Sequence, residues 1–360
     1  MSSDFMPKKV GIILINYQDY ANKYLAPLRD ALRRQDYPAE SVQIYIIDNA
    51  STVESLSFLK TNYPEALILP RTDGNYAAAG NLGFKQSQQD ACDYVVMVNM
   101  DTEMPAAWLS ELVKALEENF QAGLAQSKIL LYPRNEDEKT KPKINSLGNI
   151  IHFLGFGFTD GYGEEDREIA GYPEIKGYAS GCSFIIRREV LEKISGYNEE
   201  YYMYHDDLEL SLKAKLAGYQ IILAPRSVIY HKYEFSRSVK MLYYMERNRY
   251  LTIFTFYPTY FFILIGLPGI IMDLGMLGYS LVNGWFKSEI KIYAYFFQEG
   301  TYVKMRAERR RIKQFKVVPF STIAQNFSGR IEFQEIANPI LKYLVNPLFD
   351  LYWQLVKKII

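Results

Sequence analysis

The feature that most limits the fold of this chain is an alternation in its first hundred residues. Short, continuous apolar runs each end on a polar residue, and segments with helical spacing separate them. Residues 10–15, 43–47, 66–69 and 94–98 read as buried strands of a parallel sheet. Residues 20–34 carry Tyr24, Leu25, Leu28 and Leu32 on one helical face, and residues 52–59 and 77–89 read as further helices. Ser51 or Thr52 is the expected N-cap of the second helix, and Pro105 is expected to start a helix where a missing N–H is tolerated. Strands alternating with helices imply βαβ units, and ligands bind beyond the carboxyl ends of such strands. Asn16, Asp48, Arg71 and Asp101 stand at or just after those ends, so the pattern predicts that four polar side chains converge on one crevice.

After Leu131 the pattern changes. Residues 134–143 read as a charged, exposed, mobile loop and 147–160 as a Gly-rich aromatic hairpin. Residues 178–187 read as a strand, 188–194 as a short helix and 206–216 as an amphipathic helix. Residues 220–223 and 228–230 read as two short strands. There is no internal repeat or low-complexity tract.

Several segments have both a chemical and a structural reading. Asp48-Asn49-Ala50-Ser51 places a carboxylate where it would accept the imide N–H of uracil or thymine, but Asn and Ser also favour a strand-end turn. The small-residue run 75–83 lets a ligand approach a helix N-terminus, or packs a helix tightly on the sheet; the GxGxxG spacing is absent. Asn99-Met100-Asp101 ends a strand, where one carboxylate would hold Mg²⁺ or Mn²⁺ if a diphosphate and water complete the shell; a capping turn uses the same residues. Asp206 and Asp207 open a helix whose dipole favours them in any case. Asp207 is the better general base if it faces the crevice, Asp206 diverges from it, and Glu209 is expected to be solvated. His231, after the run 228–230, gains meaning only as a partner of Asp101.

Lys+Arg and Asp+Glu both number 41, which argues against general nucleic-acid binding. Two cysteines form no disulfide framework, and residues 1–9 lack the apolar core of a signal peptide. The catalytic part is therefore expected in the reducing cytoplasm.

In this order, the motifs resemble an inverting family-two glycosyltransferase of GT-A type, in its rhamnosyltransferase-like branch, over residues 9–250. The resemblance implies an α/β GT-A nucleotide-diphospho-sugar transferase fold with a mostly parallel central sheet flanked by helices. Ile15-Asn16-Tyr17 and Asp48-Asn49-Ala50-Ser51 look like the nucleotide-base site, and 75–83, with Asn75 and Asn81, like the small-residue loop. Asn99-Met100-Asp101 stands at the metal motif, with Asn99 where the family carries an acid. Ser180-Gly181-Cys182 and Gly196-Tyr197 look like the acceptor-side strand and turn. Tyr204-His205-Asp206-Asp207 matches the element that carries the catalytic base, with His205 where an aromatic residue is common, and His231 matches a metal-side histidine. The resemblance thus implies Asp207 as base, Asp101 and His231 as ligands to Mg²⁺ or Mn²⁺, and Asn16, Tyr17, Asp48, Arg71, Asn75, Asn81, Asn99, Gly181, Cys182 and Asp206 around the substrates. No Gln-x-x-Arg-Trp signature of processive synthases is present, which favours single-sugar transfer.

Residues 250–286 are mostly apolar and long enough to span a bilayer. Basic residues flank both sides, Arg247 and Arg249 before, Lys287 and Lys291 after, and the cluster Arg306, Arg309, Arg310, Arg311 and Lys313 follows. The positive-inside tendency keeps both flanks cytoplasmic, so a re-entrant or interfacial pair of helices is favoured over a single span, with residues 341–360 as another interfacial helix. Residues 1–250 are expected to form the glycosyltransferase domain and 251–360 a helical, membrane-associated region on the cytoplasmic face. The expected partners are a UDP- or dTDP-sugar donor, a lipid-linked glycan acceptor and the membrane surface. The competing reading of the C-terminal region is a buried helical subdomain or a dimer contact, which would make the protein a homo-oligomer. Two other functions compete: a nucleotidyltransferase, which needs a Gly-rich basic loop after the first strand where this chain has Asn16-Tyr17-Gln18-Asp19, and a non-catalytic nucleotide-sugar-binding scaffold.

Overall fold

The computed structural model describes residues 7–233, 242–332 and 339–360. Strands β1 (Val10–Asn16), β2 (Val42–Asp48), β3 (Leu67–Pro70) and β4 (Tyr94–Val98) alternate with helices α1 (Tyr20–Arg33), α2 (Val53–Asn62) and α3 (Tyr76–Gln89). The four strands are mutually parallel. Every residue of β1 is buried, as a Val/Ile/Leu run covered by helices on both faces requires. Thr52 caps α2 in a reciprocal capping box with Ser55. Short β5 (Thr102–Glu103) leads to α4 (Trp108–Glu117), which starts three residues after Pro105 because Pro105 sits in the preceding turn and its carbonyl accepts Trp108 N–H.

The alternation then breaks. Strand β6 (Ala122–Leu131) runs through the sheet, and its first nine residues are buried. It went unread in the sequence because Gln126, Ser127 and Lys128 interrupt its apolar pattern. Residues 134–143, expected to be loop, are exposed but include the short helix α5 (Glu136–Thr140). β7 (Ile144–Ser146) pairs with β6, and β8 (Asn149–Ile151) and β9 (Gly157–Thr159) form the expected hairpin. β10 (Ser183–Arg187), shorter than expected, lies between β4 and β6 and is antiparallel to both. It is followed by α6 (Arg188–Ile194) and α7 (Asp206–Leu216). β11 (Gln220–His231) is a single strand parallel to β6. Its register shifts between Ala224 and Val228, which explains why it reads as two pieces. The sheet order is β3-β2-β1-β4-β10-β6-β11-β5, with β7 added on β6.

Helices α8 (Leu242–Phe256), α9 (Thr259–Asn283), α10 (Phe286–Phe296), α11 (Glu299–Phe315), α12 (Phe320–Ala324) and α13 (Asn346–Val356) complete the chain. Trp353 of α13 stacks on Phe153 at 4.9 Å, so the last helix closes over the core beside the hairpin. α9 is one continuous helix despite Pro268, and is long and apolar enough to cross a membrane. One side of it meets the protein: Asp273, its single charged residue, accepts from Tyr250 at 2.7 Å and pairs with buried Arg249 at 3.3 Å. Its opposite side exposes Ile263, Leu267, Ile270 and Leu274.

Candidate active site

The parallel strands β1, β2 and β4 end at one edge of the sheet, and β10 starts at that edge because it runs the other way. The segment before β10 joins two groups of polar residues there. The Cys182 carbonyl accepts Asn99 N–H at 2.9 Å, and the neighbouring Gly181 N–H donates to Asp207 Oδ2 at 3.0 Å. The loop carrying Asp101 and the helix carrying Asp207 therefore hang from adjacent residues. Tyr76, the first residue of α3, lies between them. Burial and then the carboxylates of Asp206, Asp207 and Asp101 raise its phenol pKa well above the usual range.

On one side, Asp101 is buried. Its Oδ2 accepts from Tyr20 at 2.8 Å, whereas Oδ1 accepts no hydrogen bond and lies 3.4 Å from His231 Nε2. Burial opposes the charge on Asp101, but the His231 and Tyr20 contacts win and hold its carboxyl below the usual range. Burial likewise opposes charge on His231, and is outweighed by the Cys182 sulphur and the Asp101 carboxylate, which raise the imidazole pKa well above the ordinary value. The pocket thus favours positive charge next to an unspent carboxylate oxygen. Asn145 Oδ1 lies 2.9 Å from His231 Nδ1; an N–H donated there leaves Nε2 free as a ligand. These two donors fit a divalent cation that displaces the imidazolium proton. No group of three or more His, Cys, Asp or Glu side chains able to hold a metal occurs among the described residues, so these two side chains would not complete a metal's shell by themselves.

On the other side, α7 is not amphipathic: all its residues are buried except Asp207, which is partly exposed. The Asp207 carboxyl pKa is pushed up to about 6 by desolvation, opposed by the N–H groups of Gly181 and Leu208. Asp206 is buried, and burial followed by repulsion from Asp207 raises its pKa well above the carboxylate range. Glu209, expected in solvent, is fully buried and pairs with equally buried Lys213 at 2.9 Å. The helix is covered on every face, so its fourth position has no route to water.

The remaining sequence-derived residues divide by what they touch. Asn16 and Asp48 are fully buried and hold each other at 2.7 Å, and Ser55 donates to the second Asp48 oxygen at 2.5 Å. The Asp48 carboxylate thus ties two strand ends together. A cleft of about 410 Å³ opens beside it, lined by Asn16, Gln18, Asn22, Ala50, Thr52 and Phe58, and Tyr17 is exposed near it. Arg71 pairs with Asp73 at 2.6 Å. Asn75 caps α3, and Asn81 holds Tyr197 and Glu199. The small-residue run is explained by packing: a Cβ on Gly83 would lie 2.7 Å from Ile13, and one on Gly80 2.6 Å from the Tyr197 ring. The Ala77 amide is taken by the Tyr202 carbonyl and the Ala78 amide by the Asn75 side chain. Tyr20, Tyr76 and Asn145 were missed in the sequence. Each lies far along the chain from its partner, with no spacing that links them.

A model of glycosyl transferase family 2 matches residues 11–195. An uncharacterised protein of Sinorhizobium fredii is 29% identical over 62% of this chain, which spans 24% of that protein's length. The N-acetylglucosaminyl-diphospho-decaprenol L-rhamnosyltransferase of Mycobacterium tuberculosis is 25% identical over 63% of this chain and 77% of its own. Among solved structures, GalNAc-T7 with UDP, GalNAc and Mn²⁺ aligns with a TM-score of 0.56 at 13% identity, covering 83% of this chain and 57% of that one, a likeness of fold.

Proposed function

Because the chain belongs to glycosyl transferase family 2, we propose that it transfers a single sugar, with inversion, from a UDP- or dTDP-sugar to a hydroxyl of a lipid-linked glycan in cell-surface polysaccharide assembly. The observation that carries the reading is the tether of Asp207 to Gly181, one residue from the tether of Asn99 to Cys182. It brings a carboxylate to the same end of the sheet as the Asp101–His231 pair.

Asp207 accepts the proton of the acceptor hydroxyl while that oxygen bonds to the anomeric carbon from one face. The bond from that carbon to the diphosphate breaks on the other face, and the nucleoside diphosphate leaves with the electron pair. A carboxyl poised at about pH 6 is ionised at neutrality yet basic enough to take the proton. Asp101 Oδ1 and His231 Nε2 would hold Mg²⁺ or Mn²⁺, which, when bound, offsets the charge developing on the diphosphate. Tyr20 and Asn145 orient those two donors, and buried Asp206 adds no second exposed charge. By similarity to the mycobacterial rhamnosyltransferase, the sugar is taken to be rhamnose and the acceptor a glycan on a polyprenyl diphosphate.

The apolar stripe of α9 and the exposed Leu344, Leu348, Leu351 and Leu355 near the C-terminus support docking on the cytoplasmic face of a membrane. Asp273 tied to Arg249 favours α9 lying along the surface over crossing it. Turnover of UDP- and dTDP-sugars by wild type and Asp207→Asn tests the core of the proposal. Transfer at a normal rate by purified, folded Asp207→Asn overturns it, and formation of pyrophosphate from a nucleoside triphosphate and a sugar phosphate would favour the nucleotidyltransferase reading.

A further inference from the structure

The turn that delivers Asp206 and Asp207 is strained. Tyr202, Tyr204 and His205 have φ of 65°, 64° and 58°, the left-handed region where an L side chain crowds the backbone. Tyr202, with ψ of −62°, centres a γ-turn of the rare strained kind, closed by Met203 N–H on the Tyr201 carbonyl at 2.7 Å. Such conformations persist only where surrounding structure over-determines them.

Much of the surrounding structure here comes from α8, and one of its side chains reaches three carbonyls of the turn. Asn248 is fully buried, and its Nδ2 lies 2.8, 2.8 and 2.7 Å from the carbonyl oxygens of Tyr201, Met203 and Tyr204, which share its two N–H donors. Its Oδ1 accepts from Arg247 Nε at 3.0 Å and Nη2 at 2.8 Å, so the guanidinium turns the amide's donor end toward the turn. Arg247 also donates to the Glu200 and Tyr201 carbonyls. On the far side of the turn His205 Nε2 contacts the Gly155 carbonyl at 3.2 Å.

We propose that Asn248 is a positioning residue for Asp207: its amide locks the Tyr201–His205 turn, and the turn fixes where α7 begins and where its single open carboxylate points. This rests on the reading of Asp207 as the base. The same turn gives its Tyr202 carbonyl to Ala77 N–H at the start of α3, so one side chain of α8 sets the base against the donor-side helix. Asn248 itself reaches no reacting atom.

The test compares wild type, Asn248→Ala, Arg247→Lys and Thr252→Val on whichever UDP- or dTDP-sugar the wild type turns over fastest, with UDP binding in Mn²⁺ and thermal unfolding measured in parallel. Thr252 bonds the Tyr201 hydroxyl from the same helix but touches none of the three carbonyls, so its variant reports lost stability alone. Misplacing a reacting group by about 1 Å costs roughly 100-fold in rate. Asn248→Ala should therefore lose about 10- to 100-fold in kcat, with donor KM and UDP affinity unchanged and Thr252→Val near wild-type kcat. Arg247→Lys keeps the charge but cannot grip Oδ1 through two nitrogens. It should lower kcat in the same direction, and it carries the test if Asn248→Ala does not fold. Unchanged kcat in the folded variants, or a kcat loss in Thr252→Val that tracks its loss of stability, overturns the positioning role. Asp207→Asn, run beside them, separates the two ideas. If it is inactive while Asn248→Ala is intact, only the positioning role falls; if it is active, the base assignment falls.

Discussion

Replacing Glu209 by glutamine should destabilise the protein by about 3–5 kcal/mol, because Lys213 is then left charged and unpaired in the interior. Both side chains are fully buried, 2.9 Å apart, so solvent screening does not reduce the figure. Burial raises the Glu209 carboxyl pKa even beside Lys213 and lowers the Lys213 ammonium pKa even beside Glu209. Both shifts run toward the uncharged forms. A raised carboxyl contributes stability below the ordinary carboxylate range and loses it as pH rises through the folded value. A lowered ammonium contributes stability above the ordinary lysine range and loses it as pH falls through the folded value. At neutral pH both ends carry a cost, and their attraction offsets it only while both are present. Glu209→Met/Lys213→Met should therefore recover at least half of the loss seen in either single variant, limited by the Gly196 carbonyl that Lys213 leaves behind. Urea unfolding of wild type, Glu209→Met, Lys213→Met and the double variant measures the cycle, with Glu209→Gln run beside them. With m of about 3 kcal/mol/M, Glu209→Gln should move the midpoint by roughly 1 M or more. A single-variant loss below ~1 kcal/mol, or losses that simply add in the double variant, would refute the burial argument.

Asp207→Asn should lower kcat by ~100- to 10,000-fold, the usual contribution of a general base, with UDP affinity within twofold by titration calorimetry. Wild-type kcat should climb about tenfold per pH unit up to about pH 6, where Asp207 gives up its proton, and then level off; a rate still flat at pH 4.5 contradicts the assignment. Asp101→Ala should abolish the enhancement of UDP binding by Mn²⁺ and leave metal-free binding unchanged, as read by thermal shift. Leu267→Glu/Leu274→Glu, on the exposed stripe of α9, should reduce co-sedimentation with anionic vesicles by at least ~10-fold, given ~1.5–3 kcal/mol per buried leucine; undiminished sedimentation would exclude that face.

The first half of the fold was legible because its strands are buried on both sides and therefore read as unbroken apolar runs, as Val10–Asn16 and Tyr94–Val98 do. β6 was not, because buried Gln126, Ser127 and Lys128 satisfy one another and distant groups: Gln126 accepts from Ser180, Ser127 meets Ser183 and Ser227, and Lys128 meets Asp166. A polar residue looks the same in a sequence whether water or a partner a hundred residues away satisfies it. The same blindness put Glu209 in solvent. The run from Asn75 to Gly83 was open to two readings in the sequence, and the Ile13 and Tyr197 side chains decide for packing. Asp101, His231 and Asp207 were legible as residue types at strand or helix ends. Their companions Tyr20, Asn145 and Asn248 were not, since a tyrosine or asparagine carries no mark of what it will orient.

The reversed strand β10 has a mechanical corollary. The two residues just before it, Gly181 and Cys182, tie the helix of Asp207 and the loop of Asp101 to one short stretch of backbone. Any rearrangement must then arise outside β10 and outside the turn that Asn248 holds, so outer helices can diverge among relatives without altering the span between the two tethers.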